Sequence, residues 1–309
     1  LTVLSGIPDQ EDGPDFYTLL FGSTVGMMLM VSANHLLVLF LGIEMTSVPS
    51  YAMVGFLKGR RQSSEAALKY VVYGAGAAGV MLYGISLLAG LTGTADFSLL
   101  AERLGLILRQ GELDATTRTV VLALLMVLVG FAFKLSIFPF HFWCPDAFEG
   151  AAAEVGGFLS VASKGAAFAL LVRFLLALMG GDSAALSNVN LTIGIGIGVI
   201  AAVTATFGNL AAYTQSNIKR MLAYSTIAHA GYMLMAVAAM VVFLNGSSAS
   251  SPDAHAQATR CLEALLYYLA VYLFMNLGAF AIVALIRNEI YSEEIEDYSG
   301  LSQQAPLLC

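Results

Sequence analysis

A chain of 309 residues that is 58% hydrophobic and only 11% charged, with mean hydropathy +0.79, is no ordinary soluble domain and reads as a polytopic membrane protein. The formal charge of −7, with no basic cluster beyond Lys58, Arg60 and Arg61, argues against a nucleic-acid partner. Three scattered cysteines, Cys144, Cys261 and Cys309, give no CxxC and no zinc or iron–sulfur spacing.

A bilayer core is about 30 Å thick, so one crossing takes about 20 apolar residues. The sequence supplies eight such runs, which makes an all-α membrane protein. Residues 1–15 form a polar lead-in containing DQEDGPD. Spans are predicted over 16–33 and 36–57, with a turn at Asn34 and His35 between them and the basic loop KGRRQSS after. The third covers 65–90. Residues 91–118 are the longest polar stretch, and LLAERLGLILRQ within it has the pattern of an amphipathic interfacial helix. The fourth starts near Thr119 and runs into a break after Lys134. The fifth covers 155–179, the sixth 191–213, the seventh 218–244 and the eighth 263–286. A polar loop, NGSSASSPDAHAQ, separates the last two, and the acidic EIYSEEIEDYSG follows. The chain starts at Leu1 and stops in the apolar APLLC, so it reads as a fragment truncated at both ends. Lys and Arg favour cytoplasmic loops. One face takes Lys58, Arg60, Arg61, Lys219, Arg220 and Arg287, the other Arg103, Arg109, Arg118 and Arg260, so the first is placed in the cytoplasm.

The stretch from Lys134 to Lys164 organises the chain. It holds Pro139, Pro145, His141, the only tryptophan (Trp143) and the acids Asp146, Glu149 and Glu154, between strongly apolar flanks. A chain breaks a helix at membrane depth only where protein or a water-lined cavity satisfies the freed backbone groups. An interruption is therefore expected between about Phe138 and Asp146. At 1.5 Å per residue, Glu44 lies roughly 12 Å into its helix, Lys164 roughly 14 Å, His229 roughly 16 Å and Lys134 roughly 22 Å. Charges at such depth cost about 2.5–3.5 kcal/mol each on insertion scales and mark functional positions. Lys69, Lys219, Arg220 and Glu263 lie near helix ends, where a side chain reaching the interface is the plain reading. His35 and His255 fall in loops. His141, Trp143, Asp146 and Glu149 shape the break, and His229 serves helix packing or proton transfer.

These groups suit protons. A lysine taken out of water holds its proton less firmly and a nearby carboxylate restores the hold, so relative movement of the two loads and releases a proton. Sodium wants several oxygen ligands about one point, and no carboxylate cluster falls mid-membrane. GIGIGVI, with Gly194, Gly196 and Gly198, has no strand before it and reads as close helix packing. EAALKYVVYGAGAAGVMLYG from Glu65 is similar to EALLYYLAVYLFMNLGAFAI from Glu263, a faint internal repeat. Counted over eight spans the two segments start on the same face, so an inverted repeat requires the break to add a partial crossing.

Five stretches in order, LFLGIEMTSVPSYAMVGF, SSEAALKYVVYGAGAAGVMLYGISLLAGLTGT, FAFKLSIFPFHFWCPDAFEGA, FLSVASKGAAFALLVRF and NIKRMLAYSTIAHAGYM, resemble the antiporter-like membrane subunits of proton-pumping NADH:quinone oxidoreductase (respiratory complex I), subunit N in particular. The resemblance covers about 16–306. It implies antiporter-like inverted five-helix repeats with a discontinuous transmembrane helix, a first repeat over 16–180 carrying a proton half-channel and an incomplete second over 190–309. It implies a proton relay of Glu44, Lys69, Lys134, Lys164 and His229. Glu44 matches the family's glutamate in the first repeat, Lys69 the lysine one helix on, Lys134 the lysine of the broken helix and Lys164 the central lysine. Helices bearing Glu44 and Lys134 are implied to lie side by side, so these two are expected to pair. The resemblance implies no cofactor on this chain, with NADH, FMN, iron–sulfur clusters and quinone elsewhere in the complex. Neighbouring antiporter-like and other membrane subunits are the implied partners, in a bacterial inner membrane. Two departures stand out: EGAAAEV replaces the family's EGAP with further prolines or threonine, adding Glu154, and a second broken helix with its terminal lysine is missing. A multisubunit cation/proton antiporter or membrane-bound hydrogenase subunit shares the glutamate and lysines, while a structural scaffold would need neither Lys134 nor Lys164.

Overall fold

Apolar runs in lipid must satisfy every backbone N–H and C=O internally, and among the described residues of this chain they do so as helices. The computed structural model describes residues 12–57, 59–108, 115–179, 184–246 and 252–306. Lys58, Arg109, Cys309 and most of the polar lead-in lie outside them. The helices are α1 (Gly13–Ser32), α2 (Leu36–Val54), α3 (Arg61–Thr92), α4 (Phe97–Leu108), α5 (Ala115–Leu135), α6 (Trp143–Gly150), α7 (Ala153–Phe158), α8 (Lys164–Leu178), α9 (Ala184–Ala212), α10 (Ile218–Asn245), α11 (Pro252–Ile290) and α12 (Leu301–Gln304). A π-helical turn, Leu159–Ser163, joins α7 to α8. Among the described residues, eight segments are long and apolar enough to cross a membrane, α7 through α8 counting as one.

Contacts between helix ends sort them into two faces. At one, Leu36 N–H donates to Ala95 O (2.8 Å), Phe97 N–H to Asn34 O (3.0 Å) and Arg173 Nε to Ala33 O (3.1 Å). At the other, Ser63 Oγ donates to Val54 O, Lys69 and Arg220 meet Asp146, and Ile218 N–H donates to Glu293 O (2.9 Å). The chain thus enters α3 at the second face and α11 at the first. This corrects the expectation that the two similar segments, at the third and eighth spans, start on one face: they are five crossings apart and so enter from opposite faces. The break adds no crossing, because α5 and α6 are two halves of one passage. α6 completes it at the face where Asp146 and Glu149 meet Arg220.

Local sequence explains the boundaries. His35 Nδ1 accepts from Leu37 N–H and Asn217 Oδ1 from Lys219 N–H and Arg220 N–H, so each side chain caps its helix. His35 therefore has a definite role. His255 lies inside α11, which begins eleven residues before the predicted span, and not in a loop. At about 58 Å long α11 overshoots the roughly 30 Å hydrocarbon core. On α4 the buried positions are Phe97, Leu100, Ala101, Leu104, Gly105 and Leu108, an apolar stripe at helical spacing on an otherwise exposed helix. α9 and α10 touch closely because of glycine. A Cβ at Gly231 would stand 2.6 Å from Ala205 N, and one at Gly194 2.7 Å from Val241, whereas Gly196 faces open space.

Candidate functional site

The break builds the first lysine site. α5 stops at Leu135, and Ser136 has φ +58°, a left-handed turn that a helix cannot continue through. The freed groups find partners. Ile137 N–H donates to Ala132 O (2.8 Å), Phe138 N–H to Thr204 Oγ1 (3.2 Å) and Trp143 Nε1 to Phe133 O (2.9 Å). Trp143 also stacks on Tyr70, with centroids 4.1 Å apart and planes 6° from parallel. The interruption is 136–142, earlier than expected, and Pro145 does not contribute. Pro145 sits in the first turn of α6, where its missing N–H has no partner to lose. His141 is buried against Phe138, Phe142 and Phe207, with Nδ1 unpartnered.

Lys134 is buried one residue before α5 ends, and its ammonium donates to Ser47 Oγ (3.0 Å) on α2. Ser47 and Glu44 lie three positions apart on one face of that helix. Glu44 is half-buried and within electrostatic reach of Lys134, yet the two form no ion pair within 4.0 Å. The expected direct pair is therefore replaced by a serine-held lysine with the carboxylate one turn away.

Lys164 is buried where the π-helical turn returns to α-helix. Such turns concentrate at functional sites, because they shift the backbone bonding by one residue. Its ammonium donates to Thr226 O (3.2 Å) on α10. Three positions on, His229 is within electrostatic reach of Lys164, and its Nδ1 is hydrogen-bonded to Tyr268 OH on α11. Cys144 lies within electrostatic reach of Lys164 from α6. Two polar clusters result: Glu44, Ser47 and Lys134 across α2 and α5, and Cys144, Lys164, Thr226 and His229 across α6, α8 and α10.

Lys69 belongs to neither cluster. It is half-exposed and pairs with Glu65 and Asp146, both at 2.9 Å. Arg220 pairs with Asp146 and Glu149, both at 2.6 Å. Burial pushes the Asp146 carboxyl up, but hydrogen bonds from Lys69 and Arg220 outweigh it and hold the group below its ordinary 3.8. Lys219 contradicts the interfacial reading. It is 1% exposed, donates to Ala151 O (2.6 Å) and pairs with Glu293 (2.9 Å). The reason is tertiary: Ala151 and the segment after α11 close over the end of α10. Sequence reading missed Ser47, Thr226, Cys144 and Tyr268. Their one signal is position, since Ser47 and Thr226 lie a helical turn from Glu44 and His229.

The family model for the transmembrane region of NADH:quinone oxidoreductase and Mrp antiporters matches residues 33–250. NADH-quinone oxidoreductase subunit N 2 of Chloroherpeton thalassium is 41% identical over 304 residues, covering 97% of this chain and 54% of the relative. Subunit N of Desulfitobacterium hafniense is 41% identical over 293 residues, covering 95% and 56%. The chain spans about half the length of these curated relatives. Among solved structures, respiratory complex I of Thermus thermophilus with bound aureothin aligns at TM-score 0.69 and 33% identity, over 95% of this chain and 56% of that one. An archaeal membrane-bound sulfane sulfur reductase shares the fold at TM-score 0.78 and 23% identity, over 98% and 55%.

Proposed function

The chain belongs to the NADH:quinone oxidoreductase/Mrp antiporter transmembrane family, and from that premise we propose that it is the antiporter-like, proton-translocating membrane subunit of a proton-pumping NADH:quinone oxidoreductase. The agreement with subunit N relatives along nearly the whole chain supports this assignment. The observation that carries the mechanism is the pair of buried lysines, Lys134 and Lys164. Each stands at a backbone irregularity and each rests on a neutral oxygen of another helix. Ser47 Oγ can accept from an ammonium or donate to an amine, so Lys134 can change protonation without breaking an ion pair.

In this reading protons move along Glu44, Lys134, Lys164 and His229, driven by quinone reduction elsewhere in the complex. Lys69 stays outside this relay at the face, where it holds Asp146. NADH, FMN, iron–sulfur clusters and quinone belong to other subunits. The chain sits in a bacterial inner membrane beside other antiporter-like subunits, with 16–180 as one five-helix repeat and 190–309 within a second. The test is Lys134→Ala in the assembled complex, with NADH-driven proton uptake followed in inside-out vesicles. Loss of uptake through this subunit is expected, and unchanged uptake in an assembled variant overturns the relay. Copurification separates the runner-up, since redox-inactive partners would mark a multisubunit cation/proton antiporter.

A further inference from the structure

Glu154 is 4% exposed, and neither carboxylate oxygen has a hydrogen-bond partner. It lies in the first turn of α7. Among the described residues, two cations face it, Lys219 from α10 and Arg287 from α11. Glu293 bridges the two cations at 2.9 Å each. Two cations and one carboxylate leave one positive charge, which ionised Glu154 balances. Protonated Glu154 leaves that charge to the nearby face.

Beyond this pocket runs a second polar column. Asn276 Nδ2 on α11 donates to Ser160 Oγ (2.5 Å) in the π-helical turn and to Tyr272 OH (3.1 Å). The Tyr272 ring lies 5.0 Å from that of His229, beside the Thr226 carbonyl that holds Lys164. Between Glu154 and Ser160, α11 packs Phe280 and Leu277 against Gly156 and Gly157. Phe280 is fully buried on the same α11 face, one turn from Asn276, with its ring against Gly156. A Cβ at Gly156 would stand 2.8 Å from Phe280 Cε1, so glycine is what lets the ring lie there.

We propose that Glu154 is the proton-loading group of this subunit, delivering protons to Lys164 past Phe280 as a gate. The proposal rests on the relay reading above. The Glu154 carboxylate takes a proton from water at the Lys219–Glu293 face and becomes a neutral acid. When Phe280 turns aside, that proton passes along the Ser160 and Tyr272 hydroxyls, which Asn276 aligns, to the Lys164 amine. The amine becomes ammonium and Glu154 returns to carboxylate. No other reactant is consumed.

The test compares Glu154→Gln, Glu154→Asp, Asn276→Leu, Phe280→Ala and Lys164→Ala in the assembled complex, measuring NADH-driven proton uptake in vesicles across pH. Glu154→Gln and Asn276→Leu are expected to lose uptake through this subunit. Glu154→Asp should keep part of it, with its pH profile moved toward acid because aspartate is intrinsically the stronger acid. A purely structural carboxylate would leave that profile where it was. Phe280→Ala should raise passive proton leak in resting vesicles. Uptake unchanged in Glu154→Gln while Lys164→Ala loses it overturns the loading route alone. Uptake unchanged in both overturns the relay as well. Should Glu154→Gln fail to assemble, Asn276→Leu decides, since it cuts the column without touching the charged pocket.

Discussion

At one membrane face Glu65, Lys69, Asp146, Glu149 and Arg220 are locked together by ion pairs, and buried Lys219 pairs with Glu293, whereas the buried ammonium groups of Lys134 and Lys164 each rest on one neutral oxygen. The energetics run opposite to intuition. The face pairs are partly solvated, and such pairs contribute about 0.2–1 kcal/mol each. Burying an ammonium costs several kcal/mol, and a hydrogen bond to a charged group returns only about 1.5–3 kcal/mol. The costly charges therefore have the weaker compensation. A fixed structural charge would be matched by a carboxylate, but a group that exchanges its proton is better served by a partner tolerating both forms.

Replacing lysine by arginine separates the two regions most sharply. Arginine keeps the charge but does not give up its proton. Lys164→Arg should therefore abolish proton translocation through the subunit as completely as Lys164→Ala, while Lys69→Arg, which preserves the pairs with Glu65 and Asp146, should translocate near the normal rate. NADH-driven acidification of vesicles carrying each assembled variant measures both. Equal behaviour of the two arginine variants would erase the distinction between the face and the buried lysine clusters.

Glu44 gives the next largest effect. It stands one helical turn from Ser47 and acts on Lys134 through space. Glu44→Gln should slow translocation severalfold with the subunit still assembled, and Glu44→Asp should retain part of the rate because the charge survives. Identical rates for Gln and Asp would remove the charge of Glu44 from the mechanism. A smaller loss is expected for Ser47→Ala, which deletes the Lys134 acceptor at a cost of about 1.5–3 kcal/mol and disturbs the Lys134 step without removing a titrating group. Thermal unfolding of the purified complex together with the vesicle assay checks both parts.

How much of this could be read beforehand follows from what each signal depends on. The spans, the amphipathic α4 and the deep charges depend on local hydropathy and periodicity, and most were legible to within a turn or so, although α9 begins seven and α11 eleven residues before the predicted spans. The break was legible from Pro139 because proline forbids continuation, but Pro145 misled, since the same residue type also starts helices. Ser47 and Thr226 were silent because a serine or threonine in an apolar helix usually bonds its own backbone. Indeed Ser47 Oγ donates to Ile43 O (2.7 Å) while accepting from Lys134. The π-helical turn has no residue signature in LSVAS. The burial of Lys219 depends on Glu293, 74 positions later, which no local pattern encodes.

The smallest expected effect lies at the face and turns on pH. The Asp146 carboxyl is held below its ordinary 3.8, because the hydrogen bonds from Lys69 and Arg220 outweigh its burial. A lowered folded value means that ionisation stabilises the native state, so the contribution is fully present above pH 3.8 and is lost as pH falls through the folded value. Asp146→Asn should therefore lower the thermal stability of the complex slightly at neutral pH, by about 1 kcal/mol or less for partly solvated pairs. Wild type and variant should converge in acid. Translocation at neutral pH should hardly change, because Arg220 keeps Glu149 and Lys69 keeps Glu65. A loss of translocation in Asp146→Asn as large as in Lys164→Arg would mean that the face cluster conducts protons too, and that its ion pairs open during turnover.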